Sequence, residues 1–358
     1  MSRIDDLIAE LCPNGVEYKA LGSIARIKNG KDHKSLGEGD IPVYGSGGVM
    51  RYVDNYVYDK PSVLIPRKGS LGNLFYVDVP FWNVDTIFYT EINESLACPK
   101  FLYYFLTTVG LGEMNNAGGV PSQTQSVLNK IQIPIPPLEI QREIVKVLDT
   151  FTKLEAELEA ELEARRRQYH YYRDQLLNFE GRDDVQWMTL GEVAINQDSK
   201  RRPVTKSARN KGEIPYYGAS GIVDYVSDYI FDGDFLLVSE DGANLIARST
   251  PIAFSISGKT WVNNHAHVLQ FNSYTERKLI EIYLNSIDLT PYISGGAQPK
   301  LNQANLNKIP IPVPPLEEQT RIVAILDKFD ALVNDLSSGL PAEISARRKQ
   351  YEYYRDRL

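Results

Sequence analysis

Leu128–Phe151 reads LNKIQIPIPPLEIQREIVKVLDTF, and Leu306–Phe329 reads LNKIPIPVPPLEEQTRIVAILDKF. The two stretches are identical at 16 of 24 positions and lie 178 residues apart. In each, apolar residues alternate with polar residues or proline, which predicts a β-strand. The Pro-Pro-Leu-Glu that follows predicts a first helical turn, because proline lacks only an N–H that has no partner there and the glutamate suits the helix dipole. Each stretch therefore predicts a strand that leads into a helix, which begins near Leu138 and near Leu316.

The similarity continues on both sides of these stretches. Downstream, 164–176 (ARRRQYHYYRDQL) and 346–358 (ARRKQYEYYRDRL) are identical at 10 of 13 positions. Upstream, IPVYGSGG from Ile41 parallels IPYYGASG from Ile214. Internal repeats are identified first because they set the architecture. The chain is a tandem duplication.

The first predicted helix is unusually long. From Ile144 to Leu176, apolar and aromatic residues recur every three or four positions, and about 40 residues at ~1.5 Å each give a rod of roughly 60 Å. The second copy has four additional residues near 337–341, including Pro341, which cannot lie unbent inside a helix. We therefore predict a break there. We expect the two rods to pack antiparallel, because similar apolar stripes in a twofold repeat can bury one another.

The repeat also resumes at its own N-terminus. Asp5 and Leu7 correspond to Asp174 and Leu176, and the chain stops at Leu358, the counterpart of Leu176. We therefore expect residues 1–11 to lie near the end of the second helix, in a cyclic arrangement.

Similarity between the copies is uneven. The helices match closely, whereas residues 60–115 and 195–290 barely align. Matched parts predict two equivalent tasks, such as holding two copies of one partner, and divergent parts predict two different targets.

Composition excludes several classes of protein. With 43% hydrophobic and 24% charged residues the chain is typical of a globular protein, and its net charge of −7 argues against a surface coated in positive charge, although a local basic face remains possible. Cys12 and Cys98 have no partner motif, so we interpret them as reduced residues of a cytoplasmic protein. His265-Ala266-His267 lacks further ligands, so we expect no metal and a buried or hydrogen-bonded pair. A methyltransferase Asn-Pro-Pro-aromatic motif and a Ser/His/Asp set are both missing, which disfavours an enzyme.

Together these features resemble the specificity subunit of Type I restriction–modification systems. The residues that carry the resemblance are the doubled K-I-x-I-P-[IV]-P-P-L-E-x-Q motif at Lys130–Gln141 and Lys308–Gln319, with the paired 164–176 and 346–358. The resemblance implies a subunit without catalysis that reads the two halves of a bipartite site in double-stranded DNA. It also implies a scaffold for two modification (methyltransferase) subunits and for restriction subunits, with no membrane association. The resemblance also implies that the chain usually continues slightly further at this end, so whether Leu358 is the native C-terminus stays open.

The resemblance implies no cofactor in this chain, S-adenosylmethionine on the methyltransferase subunit, and ATP and Mg on the restriction subunit. The predicted fold class is α+β: two β-rich globular target recognition domains joined by two long antiparallel coiled-coil helices in a pseudo-twofold tandem repeat. The predicted segments are a helical segment that closes the cyclic repeat (1–11), target recognition domain 1 (12–137), spacer helix 1 (138–182), target recognition domain 2 (183–315) and spacer helix 2 with a break near 337–341 (316–358).

Residues that could contact DNA are those with donors suited to phosphates or base edges, because arginine or lysine suits guanine and asparagine or glutamine suits adenine. Six of the twelve residues of 200–211 are basic, which also fits a loop that binds phosphates. The DNA-binding candidates are Lys28, Lys31, Lys34, Arg51, Arg67, Lys68, Asn73, Lys200, Arg201, Arg202, Lys206, Arg209, Lys211, Asn244, Arg248, Gln298 and Lys300. The glycine-rich loops 118–123 and 295–300 could also bring backbone near a duplex.

Repeated cations beside tyrosines on the two helices indicate a docking surface for a partner, although solvated charges or an intramolecular core explain the same residues. The docking candidates are Arg165, Arg166, Arg167, Tyr169, Tyr172, Arg347, Arg348, Tyr351 and Tyr354. One alternative function stays open, a two-headed adaptor for protein or carbohydrate ligands on the same helical frame. The target bases and the spacer length are not readable from the sequence, because readout also depends on DNA deformation.

Overall fold

The structure, a computed structural model, describes residues 3–114, 122–295 and 298–356. The chain divides into two compact units, one formed by Met1–Ala160 with Ala342–Leu358 and the other by Glu161–Pro341. Each unit combines a β-rich domain with segments of long helix. The predicted α+β class is confirmed.

The first unit begins with a helix and continues into its β-rich domain. In chain order the elements are α1 (Arg3–Leu11), β1 (Tyr18–Ala20), α2 (Leu21–Ile24), β2 (Ala25–Lys28), β3 (Ile41–Gly45), β4 (Gly48–Val53), β5 (Ser62–Pro66), β6 (Phe75–Val77), β7 (Trp82–Asn83), β8 (Ile87–Ile92), α3 (Pro99–Thr108), α4 (Gln125–Leu128) and β9 (Gln132–Pro134). The strands form sheets in the orders β2-β8-β5-β6 and β4-β3-β7, and β1 pairs with β9.

The long helix α5 (Leu138–Leu176) follows and contributes to both units. The second β-rich domain contains β10 (Gln186–Thr189), α6 (Leu190–Val193), β11 (Ile195–Asn196), β12 (Lys211–Gly218), β13 (Gly221–Val226), β14 (Phe231–Asp232), β15 (Phe235–Ser239), α7 (Asn244–Ala247), β16 (Ala253–Ile256), β17 (Lys259–Val262), β18 (Ala266–Gln270), α8 (Tyr274–Ser286), α9 (Gln303–Leu306) and β19 (Pro310–Val313). Its sheets run β11-β18-β15-β16 and β13-β12-β17-β14, with β10 paired to β19. The chain ends with α10 (Leu316–Asn334) and α11 (Leu340–Arg355).

The repeated Ile-Pro-x-Tyr-Gly motif forms the same hairpin in each unit. Antiparallel β3 and β4 close at the pair Gly45–Gly48, and β12 and β13 close at Gly218–Gly221. Gly48 has φ 112° and Gly221 has φ 121°, a backbone conformation that favours glycine. The turn geometry therefore explains why both copies keep glycine at this position.

Each core forms around one fully buried strand. Every residue of β5 and of β15 is buried, and each strand packs against a helix of its own domain, β5 against α3 and β15 against α8. Strands of this kind read as short continuous apolar runs, and SVLIP and FLLVS are such runs.

The Leu-Asn-Lys-Ile motif fastens the end of each β-rich domain to its beginning. The Leu21 amide donates to the Ile131 carbonyl at 2.8 Å, and the Leu190 amide donates to the Ile309 carbonyl at 2.9 Å. These bonds extend the β1–β9 and β10–β19 pairings. The strand that leads into each long helix is therefore held by the first strand of the same domain.

The glutamine of the Leu-Glu-x-Gln motif then holds the helix to that strand. Helix α5 begins at Leu138 and α10 begins at Leu316, as the sequence predicts. The buried Gln141 donates through Nε2 to the Pro136 carbonyl at 2.8 Å, and Gln319 donates to the Pro314 carbonyl at 2.9 Å. A buried backbone carbonyl needs a hydrogen-bond donor, and in both units the glutamine side chain supplies it.

Gln141 makes two further bonds that Gln319 does not repeat. Its Nε2 also donates to the Leu96 carbonyl at 2.9 Å, and its Oε1 accepts from the Cys98 amide at 2.7 Å. Cys98 is the residue immediately before α3. Gln141 thus joins the loop before α3 to the start of α5.

A single aspartate of α5 anchors α3 along the same helix. Asp149 accepts from the Tyr104 hydroxyl at 2.5 Å and lies 2.8 Å from Lys100 Nζ. Burial and this hydrogen bond both raise the pKa of Tyr104. The β-rich domain of the first unit is therefore attached to α5 by a polar contact as well as by apolar packing.

The second unit repeats this anchor with the two donors exchanged. Asp327 accepts from the Tyr274 hydroxyl at 2.7 Å and lies 4.0 Å from Lys278 Nζ. In α8 the tyrosine precedes the lysine by four residues, whereas in α3 the lysine precedes the tyrosine. Burial, with the hydrogen bond to Asp327, raises the pKa of Tyr274 to about 12.

In the first unit, α11 lies antiparallel to the N-terminal part of α5. The ring of Tyr354 stacks on Phe151 with centroids 5.4 Å apart, and six residues earlier Arg348 pairs with both Glu155 and Glu159. Helix α1 joins the same side, because its Ile4 and Leu7 pack into the cluster that contains Ile144 and Tyr351.

In the second unit, α10 lies against the C-terminal part of α5. Tyr172 lies 5.7 Å from Phe329, which reproduces the Tyr354–Phe151 pair at the equivalent positions of the repeat. Tyr169 and Leu176 pack against the cluster that contains Leu326 of α10. The break between α10 and α11 falls at 335–339, and Pro341 lies in the first turn of α11.

We predict that Gln141→Leu and Gln319→Leu destabilise their helix starts unequally. Gln141→Leu leaves up to three backbone groups without a partner, one buried and two partly buried, and Gln319→Leu leaves one buried carbonyl. The expected losses in opening free energy are about 2 to 3 kcal/mol and about 1 kcal/mol. Hydrogen exchange measured by mass spectrometry on peptides that cover 96–104 and 312–320 checks this. Equal losses at the two sites would contradict the assigned bonds.

Candidate nucleic-acid interface

In both units a tryptophan on the strand beside the hairpin donates a hydrogen bond to a basic loop. Trp82 lies beside β3 in parallel pairing and its indole Nε1 donates to the Lys31 carbonyl at 3.1 Å. Trp261 lies beside β12 in the same way and donates to the Arg202 carbonyl at 2.7 Å. Lys31 and Arg202 are therefore presented at equivalent places, both exposed. The preceding Gly30 cannot carry a side chain, because a Cβ would lie 2.0 Å from the Val84 carbonyl oxygen.

The remaining first-unit candidates divide by their contacts. Lys34 and Asn73 are exposed, with Asn73 donating to the Ser46 carbonyl at 3.3 Å, and Lys68 is exposed 3.8 Å from Asp85. The half-buried candidates bond to their own unit: Lys28 lies 3.5 Å from Glu91, Arg51 donates to the Leu36 carbonyl at 3.2 Å, and Arg67 lies over the Phe88 ring at 5.7 Å.

The second-unit candidates divide in the same way. Lys200, Arg202, Lys206 and Lys211 are exposed. The guanidinium of Arg209 is instead held by its own unit, 2.9 Å from Asp224 and 4.3 Å above the ring of Tyr216.

Asn244 and Arg248 are also committed to structure. Asn244 accepts from the Thr250 amide at 3.0 Å and so shapes the turn after α7. Arg248 donates to the Ile287 carbonyl at 2.9 Å, and burial lowers its pKa. Both are half-buried, whereas Gln298 and Lys300 are exposed.

Arg201 is the candidate most fully enclosed. Its Nη1 lies 2.5 Å from Glu240 Oε2 and 2.9 Å from the Ala266 carbonyl, and its Nη2 lies 3.3 Å from Asp198 Oδ2. The three side chains are almost wholly buried. The guanidinium lies against both carboxylates, so Arg201 stabilises the fold of the second unit.

Each of the two predicted histidines is hydrogen-bonded to its own partners, and one is buried while the other is exposed. His267 bonds to Asp198 through Nδ1 and to the Leu301 carbonyl through Nε2. His265 bonds to Asp241 through Nδ1 at 2.8 Å. The ligand atoms of Asp198, Glu240 and His267 lie close enough to surround a cation, but both ring nitrogens of His267 are engaged and Arg201 already supplies the positive charge.

Two glycine-rich loops precede the last strands. Gly118 to Pro121 of the first loop, and Gly296 and Ala297 of the second, lie outside the described residues. The residues that follow are anchored alike: the Gln123 amide donates to the Arg67 carbonyl and the Leu301 amide to the Glu240 carbonyl, both at 2.8 Å.

The docking candidates lie along the helices described above. Tyr169 and Tyr351 are half-buried in their units, whereas Tyr172 and Tyr354 cover the two phenylalanines of the repeat. Arg166 is exposed. The other cations make intrahelical or interhelical ion pairs: Arg165 with Glu161, Arg167 with Glu163, Arg347 with Glu343 and Arg348 as above.

Two sets of exposed side chains lie outside the candidate residues, although the tyrosines of the first set belong to the repeated stretches that carry the docking candidates. Tyr171 and Tyr353, equivalent in the repeat, are 62% and 53% exposed, more than any tyrosine among the candidates. The two hairpins also expose apolar side chains at the same three positions of β4 and β13, namely Val49, Met50, Tyr52, Ile222, Val223 and Tyr225. The repetition of these positions is a signal that the aligned copies already contain.

Comparison with known proteins identifies the relatives of this chain. The family model described as "Type I restriction modification DNA specificity domain" matches residues 13–164 and again residues 182–346. A type I restriction enzyme specificity subunit of Haemophilus influenzae is 34% identical over 96% of this chain and 95% of its own length. One of Escherichia coli is 35% identical over 75% of this chain and 72% of its own length.

A solved structure has the same fold. The S subunit of a Type I restriction–modification system from M. genitalium superposes with a TM-score of 0.65 over 96% of each chain, at 17% identity. No helix in the described part of the chain is long and apolar enough to cross a membrane.

We predict that the same substitution at two adjacent arginines affects the stability of the protein very unequally. Arg201→Met removes the cation that lies against both buried carboxylates, Asp198 and Glu240, and should lower the free energy of unfolding by about 3 kcal/mol. The exposed Arg202→Met should change it by less than about 0.5 kcal/mol. Urea unfolding near neutral pH checks this.

The pH dependence of that difference has a definite sign. Although burial acts to raise them, the pKa values of Asp198 and Glu240 are lowered, by His267 and Arg201 respectively among other groups. Their contribution to stability is therefore present above their unfolded values and lost as the pH falls through the folded ones. The difference in free energy of unfolding between wild type and Arg201→Met should therefore become smaller at acidic pH. A difference that becomes larger there would refute the assignment.

Proposed function

The chain belongs to the Type I restriction–modification DNA specificity family, and we propose that each of its two units reads one half of a split DNA site. As a specificity subunit it is the non-catalytic component of such a complex. The observation that carries the proposal is the pair of equivalent frames with different loops. Both units hold a basic loop with a tryptophan at the same place, yet the loops differ in length and sequence.

The proposed function assigns a role to each predicted segment of the chain. Residues 12–137 and 183–315 are the target recognition domains, and 138–182 and 316–358 are the spacer helices. Residues 1–11 close the repeat, and their contact with the cluster around Tyr351 supports that role.

Exposed cations on the recognition domains are the proposed phosphate contacts. Charged side chains that face solvent can neutralise phosphates, whereas those already paired inside the unit cannot do so without breaking a buried contact. The proposed contacts are Lys31, Lys34, Lys200, Arg202, Lys206 and Lys211. Lys68 and Lys300 are added because their side chains are about half exposed, although each also lies near a carboxylate, Asp85 at 3.8 Å and Glu240 at 3.1 Å. Asn73 and Gln298 are exposed amides that suit adenine edges.

The helices are the proposed dock for two modification subunits, with restriction subunits joining that core. Tyr171 and Tyr353 support this role, because each repeat presents an exposed tyrosine at the same place, and tyrosine is enriched at interfaces. In such a complex S-adenosylmethionine belongs to the methyltransferase subunit, and ATP and Mg belong to the restriction subunit. The complex would act on double-stranded DNA in the cytoplasm.

A two-headed adaptor for protein or carbohydrate ligands is the second candidate. The exposed apolar positions of the hairpins favour it, because apolar side chains repeated on two edge strands suit a protein ligand. A complex that modifies no DNA and binds none at low salt would move this candidate to first place.

We predict that exchanging 12–137 for the same region of another specificity subunit changes one half of the modified site. Co-expression with the cognate methyltransferase, followed by mapping of methylated adenines in genomic DNA, checks this. Exchange of 183–315 is the matched control and should change only the other half. If either exchange alters both halves, the two units do not read separately.

We predict that Lys200→Ala, Arg202→Ala and Lys206→Ala together weaken DNA binding uniformly across sequences. Loss of three phosphate contacts should reduce the slope of log K against log salt by about 3. Titration of the complex with cognate and unrelated duplexes at several salt concentrations measures it. Lys308→Ala with Lys328→Ala, exposed lysines of the same unit outside this loop, should leave the slope unchanged. An unchanged slope in the triple variant would exclude the loop as a phosphate contact.

A further inference from the structure

His267 is a buried histidine with two acceptors. Its side chain is 1% exposed, its Nε2 lies 2.7 Å from the Leu301 carbonyl oxygen, and its Nδ1 lies 2.6 Å from Asp198 Oδ2. A carbonyl oxygen and an ionised carboxylate accept hydrogen bonds but cannot donate them. Both ring nitrogens must therefore carry a proton, so the geometry is that of an imidazolium.

The charges around His267 fit this state. Asp198 and Glu240 supply two carboxylates, and Arg201 and His267 supply two cations, so the buried group is balanced. Lys300 reaches Glu240 from the solvent side at 3.1 Å. The remaining titratable pair nearby, Asp241 with His265, is partly exposed and bonds within itself.

The cluster ties together three separate segments of the second unit. Asp198 follows β11 and also accepts from the Val268 amide at 2.9 Å, Glu240 follows β15, and Leu301 follows the second glycine-rich loop. The Leu301 amide donates back to the Glu240 carbonyl at 2.8 Å. Within a few residues, these segments carry the exposed Lys200, Arg202, Gln298 and Lys300.

The first unit is built without an ionisable group at this place. Phe88 of β8 faces β5 where His267 of β18 faces β15, and Arg67 lies over the Phe88 ring where Glu240 lies near His267. The equivalent backbone bond, from Gln123 to Arg67, is kept. The phenylalanine that stands in place of His267 has no proton to gain or lose.

We infer that His267 is a positioning residue whose imidazolium fixes the three recognition loops of the second unit, so that reading of one half-site weakens as the pH rises while reading of the other half does not. This inference rests on the proposed function. His267 itself makes no contact with DNA in this proposal. Its effect reaches the DNA through the loops that carry Arg202, Gln298 and Lys300.

The direction follows from the contacts. Loss of either ring proton turns a lone pair toward an acceptor, the Leu301 carbonyl or the Asp198 carboxylate, and removes one of the two buried cations. The cluster is therefore complete at lower pH and loosened on deprotonation. Acid acts only later, because the pKa values of Asp198 and Glu240 are held below their usual range.

The test uses the full chain in complex with its modification subunits and three duplexes. One carries the mapped site, one has its first half altered and one has its second half altered, with the halves assigned by the domain exchange above. Between about pH 6 and pH 9 we expect discrimination against the duplex altered in the second-unit half to fall by about fivefold or more, and discrimination at the other half to stay within about twofold.

Two matched variants assign the effect to one histidine. His267→Gln is neutral at every pH, so its discrimination at the second-unit half should be low and flat with pH. His265→Gln, two residues away on the exposed pair, should keep the wild-type profile. A His267→Gln profile that follows wild type, or a His265→Gln profile that becomes flat, would overturn the inference.

A measurement on the unaltered residue covers the case in which His267→Gln does not fold. The chain has four histidines, and 15N labelling of histidine with His33→Gln, His170→Gln and His265→Gln for assignment isolates the His267 ring. We expect protons on both nitrogens near neutral pH, and one unprotonated nitrogen would refute the imidazolium. A complex that ignores changes in both halves at every pH would refute the proposed function, whereas intact reading of both halves with flat pH profiles would refute only this inference.

Discussion

In each unit a buried glutamine satisfies the proline carbonyl at the point where a strand leaves the β-rich domain and becomes a long helix. The constraint arises because the first of the two consecutive prolines, Pro136 or Pro314, is buried, so its carbonyl oxygen needs a hydrogen-bond donor. Gln141 and Gln319 meet it with the same bond, and the direction of each helix follows from it. Farther along, Asp149 and Asp327 hold α3 and α8 against those helices. The β-rich domains can then vary in their loops, since their attachment depends on few residues near the helix starts.

The long helices were predictable from the sequence, because the two copies of the repeat can be compared with each other. Matching copies of the Pro-Pro-Leu-Glu stretch located both helix starts, and Pro341 located the break between α10 and α11. The paired glycines of the hairpins belong to the same class of signal, since a positive φ restricts residue type wherever the turn recurs. Fold class and organisation were accessible for this physical reason.

The candidate interface was less accessible, because a basic residue in a loop gives no local sign of its partner. Arg201 and Arg202 are adjacent and chemically identical, yet one is enclosed by a glutamate 39 residues away and the other is exposed. Arg209 is likewise held by Asp224 across a hairpin. At the end of the buried strand the two units even carry opposite charges, Arg67-Lys68 in the first and Glu240-Asp241 in the second. Which cations remain available is decided by contacts between segments distant in sequence.

The division of α5 between the two units has a consequence for how such a chain can be cut. The first unit is completed by the last helix of the second copy, and the second unit by the last part of the helix of the first copy. The two copies of the repeat therefore exchange their C-terminal helical segments. This is the arrangement of a domain-swapped dimer, formed here within one polypeptide. A fragment that ends at a repeat boundary keeps a helix that belongs elsewhere and lacks the one that covers its own Phe151 or Phe329. The compact units therefore do not coincide with the repeats: one is the single stretch Glu161–Pro341, and the other is discontinuous in sequence.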